Sequence, residues 1–139
     1  MTVNMRVHPK FAKCVLQGRI AEVVYKTLRQ HVSDVAVTIY ITTDAEIRKL
    51  NRQFHATDAP TDVLSFPTYI EDYLGDVVIS YDRAKAQAHD ARWRIADELD
   101  LLAVHGVLHL LGFDDVTPRK RAKMWKRQEE ILGREIRDA

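Results

Sequence analysis

Two histidines four residues apart, His105 and His109, stand in an apolar stretch that ends Gly112-Phe113-Asp114-Asp115. On an α-helix, that spacing rotates the side chain by about 40° and raises it by about 6 Å, so two imidazoles can reach one ion from consecutive turns. Leu101, Leu102, Val104, Val107 and Leu108 surround them, which predicts a largely buried helix. Imidazoles buried there need polar partners, and a shared metal ion is one. Gly112 can end the helix at positive φ, and Asp115 can then return a carboxylate to the same point. Asp114 competes for that role, but the offset favours Asp115. A His₂Asp set leaves one tetrahedral position open, as in catalytic zinc sites whose bound water ionises near neutral pH. The plainer account is two hydrogen-bonded core histidines beside an acidic turn; glycine and aspartate at fixed offsets weigh against it.

The pattern HxxxHxxGxxD has aspartate where metzincin-like motifs carry a third histidine. Zincin proteases also follow the first histidine with a glutamate that polarises the attacking water. Here that position is Gly106, so the helix argues against a protease of that kind. A metzincin-like peptidase would need another base, and Asp97 or Glu98, one or two turns upstream, is where to seek it.

The elements that must hold this helix follow from period and punctuation. Residues 2–7 read as a short strand stopped by Pro9, and Phe11 to His31 repeats apolar residues at helical spacing. Val35, Val37, Ile39 and Ile41 alternate with polar or small residues, a strand over Asp34 to Thr42 with one face inward. Thr43 and Glu46 form a capping-box pair, and Ile47, Leu50 and Phe54 mark one face of the helix that follows. Val63 to Phe66 between Pro60 and Pro67 is a strand, and Gly75-Asp76 opens another through Ser80. Residues 82–90 and 92–111 read as helices, and Thr117-Pro118 starts a last helix reaching about Arg137. The order predicts an α+β fold, a small mixed sheet packed with helices, one of them a zincin-like metal helix.

With 139 residues and no linker or repeat, the chain reads as a single domain over 1–139. A chain of this mass can bury about two-thirds of its extended surface, enough for a core without staples. The single cysteine, Cys14, excludes an internal disulfide framework and reads as a small core residue on a helix. The stretch Leu101 to Phe113 is too short to cross a bilayer, and residues 1–10 hold no secretory signal, so no membrane is expected and the cytoplasm is the default. A formal net charge of +1 does not announce a nucleic-acid binder, so any attraction for polyanions must be local.

The stretch His105-Gly-Val-Leu-His-Leu-Leu-Gly-Phe-Asp-Asp115 resembles the HGxLHLxGYDH signature of the YbeY endoribonucleases, bacterial ribosomal-RNA maturation factors. Leu50-Asn51, Ala59-Pro-Thr-Asp-Val-Leu-Ser-Phe-Pro67 and Leu74-Gly-Asp-Val-Val-Ile-Ser80 match two further blocks of that family. The resemblance spans about residues 35–132 in the expected order. It implies one Zn²⁺ per chain held by His105, His109 and Asp115, single-stranded RNA as substrate, and work on small-subunit rRNA 3′ ends and in ribosome quality control, with the small ribosomal subunit as partner. It also implies that Asp62 and Ser65 line a groove beside the metal helix. Asp115 departs from the family's third histidine, lowering the charge of the site. His55 stands where the family carries an arginine thought to meet substrate phosphate, and is the candidate for that catalytic role. The rival readings are the peptidase above and a non-catalytic ribosome assembly factor with structural zinc; oligomeric state stays open.

The last helix sorts its faces. Met124, Trp125, Gln128, Ile131, Leu132 and Ile136 share one side; Arg119, Lys123, Lys126, Arg127, Arg134 and Arg137 share the other, partly neutralised by Glu129, Glu130 and Asp138. That basic face is a candidate RNA contact. Trp93 and Trp125 read as core packing, and His8, His31 and His89 as surface or structural histidines.

Overall fold

The computed structural model describes residues 1–32 and 34–136. Four strands, β1 (Thr2–Val7), β2 (Ala36–Thr42), β3 (Val63–Pro67) and β4 (Tyr73–Ser80), form one sheet in the order β1-β2-β4-β3. β1 pairs parallel with β2 and β2 parallel with β4, while β3 runs antiparallel to β4 at the edge. Five helices accompany it: α1 (Gln17–Leu28), α2 (Asp44–His55), α3 (Tyr81–Ala91), α4 (Ile95–Leu110) and α5 (Pro118–Leu132). The expected α+β fold with a mixed sheet is the fold observed.

Strand alternation divides the helices between two faces. Val37, Ile39 and Ile41 of β2, with Val77 and Ile79 of β4, enter the main core with Ile20, Val24 and Leu28 of α1 and Leu99, Ala103 and Val107 of α4. Leu64 and Val78 point the other way, onto Ile47 of α2. α4 is apolar almost all round because it is covered twice: Val104 and Leu108 turn from the sheet to Met124 and Ile131 of α5. Gly106 faces the sheet, where an added Cβ would lie 2.4 Å from Val77 Cγ1. This close approach leaves the imidazoles of His105 and His109 at the open side of the helix.

Several boundaries differ from the sequence reading. Pro9 nucleates a short 3₁₀ turn, Pro9–Phe11, so α1 starts only at Gln17. Cys14 therefore sits exposed in the intervening turn, neither helical nor core. Thr43 caps α2 by accepting from the Glu46 amide at 3.2 Å, but the Glu46 carboxylate turns to Thr42 Oγ1 instead of closing the box. Phe54, read with Ile47 and Leu50 on one face of α2, is 59% exposed and meets Phe66 edge to face. α5 stops at Leu132 because Gly133 takes φ 71°, four residues or more short of the expected end. Arg137 and Asp138, which that expectation placed in the helix, lie outside the described residues.

Candidate metal centre

α4 ends as its sequence requires. Leu111 is the last αR residue, and Gly112 at φ 100° carries the chain away, with its amide bonded to the His109 carbonyl. The turn brings Asp115 back over the helix end. His105, His109 and Asp115 each offer one ligand atom, and these atoms lie within 4.8 Å of one another. The two imidazole Nε2 atoms are 3.0 Å apart. Two tetrahedral nitrogen ligands on one zinc stand about 3.4 Å apart, so the histidine pair is spaced for a shared ion, with the exposed Asp115 side chain needing only a small closing movement. Two half-buried imidazoles and one carboxylate are a donor set that fits a divalent cation. Asp114 is otherwise engaged: its carboxylate accepts from the Val116 amide at 3.1 Å and from Lys120 Nζ at 3.4 Å.

The histidines are oriented from behind. His105 Nδ1 donates to Gln128 Oε1 of α5 at 2.6 Å, which fixes the tautomer with its Nε2 lone pair facing His109. Gln128 is only 1% exposed and has this bond as its evident purpose. Burial first, and the neighbouring His105 second, hold His109 below the usual imidazole range, favouring the neutral form that a metal needs. The signal for Gln128 was in the sequence, an amide on the apolar face of an amphipathic helix, but its partner was not.

Three clefts meet at His105. One of about 580 Å³ is lined by Asp115, Arg121, Trp125 and Lys126. A second of about 620 Å³ is lined by Asp62, Trp93, Glu98 and Trp125. The third, of about 350 Å³, runs between β3 and the two histidines along Asp62 and Ser65. Ser65 donates to the Gly106 carbonyl at 3.0 Å, tying β3 to α4, and Asp62 sits just before β3, accepting from the Val63 amide and from Gln87. Both tryptophans prove to be half-buried cleft walls instead of core residues, since the faces they occupy are covered on one side only. Arg121 also lines the first cleft, and no pattern in the sequence marks it out from the other basic residues of α5.

The remaining candidates are placed apart from this cluster. His55 is exposed at the end of α2, its ring 5.5 Å from Phe66. Phe66 and Ser65 point to opposite faces of β3, so His55 lies across the edge strand from His105 and His109. Of the basic face proposed on α5, Arg127 is spent on Glu130 and His31, and Arg134, beyond the helix, on Asp97. His8 caps the 3₁₀ turn through Nδ1, and His89 is exposed. Glu98 borders the second cleft, whereas Asp97 is bound to Arg19 and Arg134. A zincin glutamate has no room here, because position 106 faces Val77 and not the imidazoles.

Among the described residues no helix is long and apolar enough to cross a membrane. The chain is similar to curated proteins named Endoribonuclease YbeY. One from Chloroflexus aggregans is 44% identical, with 94% of each chain covered. Another from Roseiflexus castenholzii is 41% identical over 94% of this chain and 91% of that protein. The solution structure of a target protein from Thermotoga maritima matches with a TM-score of 0.67 and 29% identity, covering 94% of this chain and 89% of that one. The family model described as Endoribonuclease YbeY matches residues 6–135, and the chain belongs to that family.

Proposed function

We propose that this protein is a zinc-dependent endoribonuclease that cuts single-stranded RNA, acting in the cytoplasm on small-subunit rRNA 3′ ends and in ribosome quality control, with residues 1–139 working as one unit. The observation that carries the reading is the convergence of three metal-ligating side chains, His105, His109 and Asp115, within 4.8 Å at the junction of three clefts. The names of the similar proteins support the reaction class. A divalent ion held by these three residues supplies Lewis acidity toward a phosphate oxygen, or acidity to a water.

The chain's own residues handle the substrate. Arg121 and Lys126 flank the cleft at Asp115 and suit two phosphates of a strand passing over α5. Gln128 keeps the His105 ring in one orientation, so the ligand nitrogens stay preorganised. The half-buried His pair stands where the clefts meet, so a phosphate can reach the imidazoles from the open side of α4. His55, across β3, suits a phosphate farther along the strand as it crosses the sheet edge.

Zinc-loaded protein is expected to nick unstructured RNA and to spare duplex. Asp115→Ala should lose metal retention in elemental analysis and about a hundredfold or more of the cleavage rate. Undiminished cleavage by that variant overturns the assignment.

A further inference from the structure

The cleft enclosed by α3, the 92–94 turn, α4 and α5 differs from its basic neighbour across Trp125. Its charged lining is acidic, Asp62, Asp90 and Glu98, with no lysine or arginine among the lining residues. Glu98 is 5% exposed. One of its carboxylate oxygens accepts Trp93 Nε1–H at 2.9 Å, and the other has no hydrogen-bond partner among the described residues. Burying most of this carboxylate costs solvation, and its second oxygen, which is not fully buried, opens to the cleft, where an occupant can supply a donor. Burial pushes the Glu98 carboxyl up to about 7, a measure of that cost.

The aromatic walls are unequal. Trp93 is committed, with Arg134 over its ring at 5.3 Å and its N–H on Glu98. Trp125 borders both the basic and the acidic cleft and has no stacked ring or cation among the described residues. Glu98 precedes His105 by seven residues, about 10.5 Å along the helix, too far to hold a water at the imidazoles. It therefore stands outside bond breaking. A nucleotide suits that interval, with its phosphate at the histidines and its base at Glu98.

We propose that this cleft is a subsite for one unstacked base of the RNA strand, stacked on Trp125 with its N–H edge turned to Glu98, a proposal that rests on the nuclease reading above. Single-stranded RNA is read in this manner, by aromatic stacking and by hydrogen bonds to the Watson–Crick edge. The carboxylate selects the base: guanine offers N1–H and a 2-amino group side by side, a match for two carboxylate oxygens. Adenine and the pyrimidines present an acceptor at one of those places.

The test is the affinity of short uridine-tract RNAs carrying one guanosine, one inosine or one abasic residue, measured by fluorescence anisotropy on metal-free protein, with cleavage followed separately on zinc-loaded protein. The guanosine strand should bind about tenfold or more tighter than the abasic strand, with inosine between them. Trp125→Ala should erase the gain and Trp125→Phe keep most of it. Glu98→Gln should bring guanosine down to inosine while leaving the advantage over the abasic strand. Equal affinity of wild type for guanosine and abasic strands overturns the proposal, as does discrimination that survives both Trp125→Ala and Glu98→Gln. The abasic comparison needs no variant, so it decides even if Trp125→Ala fails to fold. Discrimination without any cleavage by zinc-loaded protein would sink the nuclease reading and leave the subsite; cleavage without discrimination does the reverse.

Discussion

At the N-terminal end of α4, two of three carboxylates are met by guanidinium groups; at its C-terminal end, two imidazoles have each other, a carboxamide, the Phe113 backbone and a loop aspartate. Arg19 binds Asp97 and Asp100, both at 2.7 Å, and Arg134 binds Asp97 at 2.9 Å. These bonds lock α1 and the segment after α5 onto α4. Burial alone would raise Asp97, but the hydrogen bond from Arg19 and the charge of Arg134 outweigh it and hold it below the usual carboxylate range. For the more deeply buried Asp100 burial prevails over Arg19 and its carboxyl is raised. At one end Arg19 and Arg134 neutralise Asp97 and Asp100, Glu98 excepted; the other end is left for something external. Charge compensation at the first end is not full hydrogen-bond satisfaction: among the described residues, Asp100 Oδ1 and Arg134 Nε are buried without a hydrogen-bond partner.

The contrast can be broken most severely at Arg19. Arg19→Met leaves Asp100, only 4% exposed at its side chain, without its guanidinium partner. Removing one partner of a buried pair costs about 3–5 kcal/mol, and the partial exposure of Arg19 places this case at about 3. Urea unfolding should show that loss, while zinc content per folded molecule stays at the wild-type value. A parallel fall in zinc content would mean that the two ends of α4 are coupled.

Glu98, the third carboxylate of that end, behaves oppositely because no cation among the described residues meets it. Its folded pKa of about 7 exceeds the ordinary 4.5, through burial first, against the Trp93 hydrogen bond and with the Asp62 charge adding to it. The folded chain thus holds a proton that the unfolded chain releases, and stability present at low pH is lost as pH rises from about 4.5 to about 7. The shift caps that loss at roughly 3 kcal/mol. Glu98→Gln has no such proton to lose, so its stability measured at pH 5 and pH 8 should differ by less than wild type's. Identical pH profiles would place Glu98 in water and remove it from the cleft.

The site end yields a smaller effect at Gln128. Gln128→Ala removes the acceptor of His105 Nδ1–H, and loss of such an outer partner weakens metal binding about 10- to 100-fold, or about 1.4–2.7 kcal/mol. Competition with a chelator of known affinity measures it. Retained affinity would mean that α4 alone presets the ring.

The difference between these two ends was only half visible in the sequence. His105, His109, Gly112 and Asp115 are legible because helix pitch and a glycine turn are local rules, and the chain between them is continuous. Val37, Ile39 and Ile41 disclosed β2 in the same way. Gln128 and His105, 23 residues apart, meet only because Val104 and Leu108 dock on Met124 and Ile131. Arg19 meets Asp97 across 78 residues, and no pattern around either announces the other. The tryptophans show a further limit. Helical spacing tells which face a ring occupies, not whether another element covers that face, so Trp125 reads as core until α3 and α5 are seen to stand apart. Gly133 offers a stop, but apolar residues continue to Ile136 and carry the helical period past it.

His55 gives the smallest expected effect and the finest cut. It sits on the α2 side of β3, against Phe66, while the cluster lies on the α4 side. A side chain that far from the reacting phosphate can touch only flanking substrate, by a rim contact worth less than about 1 kcal/mol. His55→Ala should therefore raise KM for a long strand by no more than about threefold, leave kcat unchanged, and have no effect on a strand too short to cross the edge. His55→Arg should restore or improve long-strand binding, since a guanidinium carries a permanent charge and meets phosphate with a fork of donors. A fall in kcat on the short strand would contradict this geometry, because it would require the imidazole to reach the reacting atoms around the edge of the sheet. The two faces of β3 would then form one site and not two.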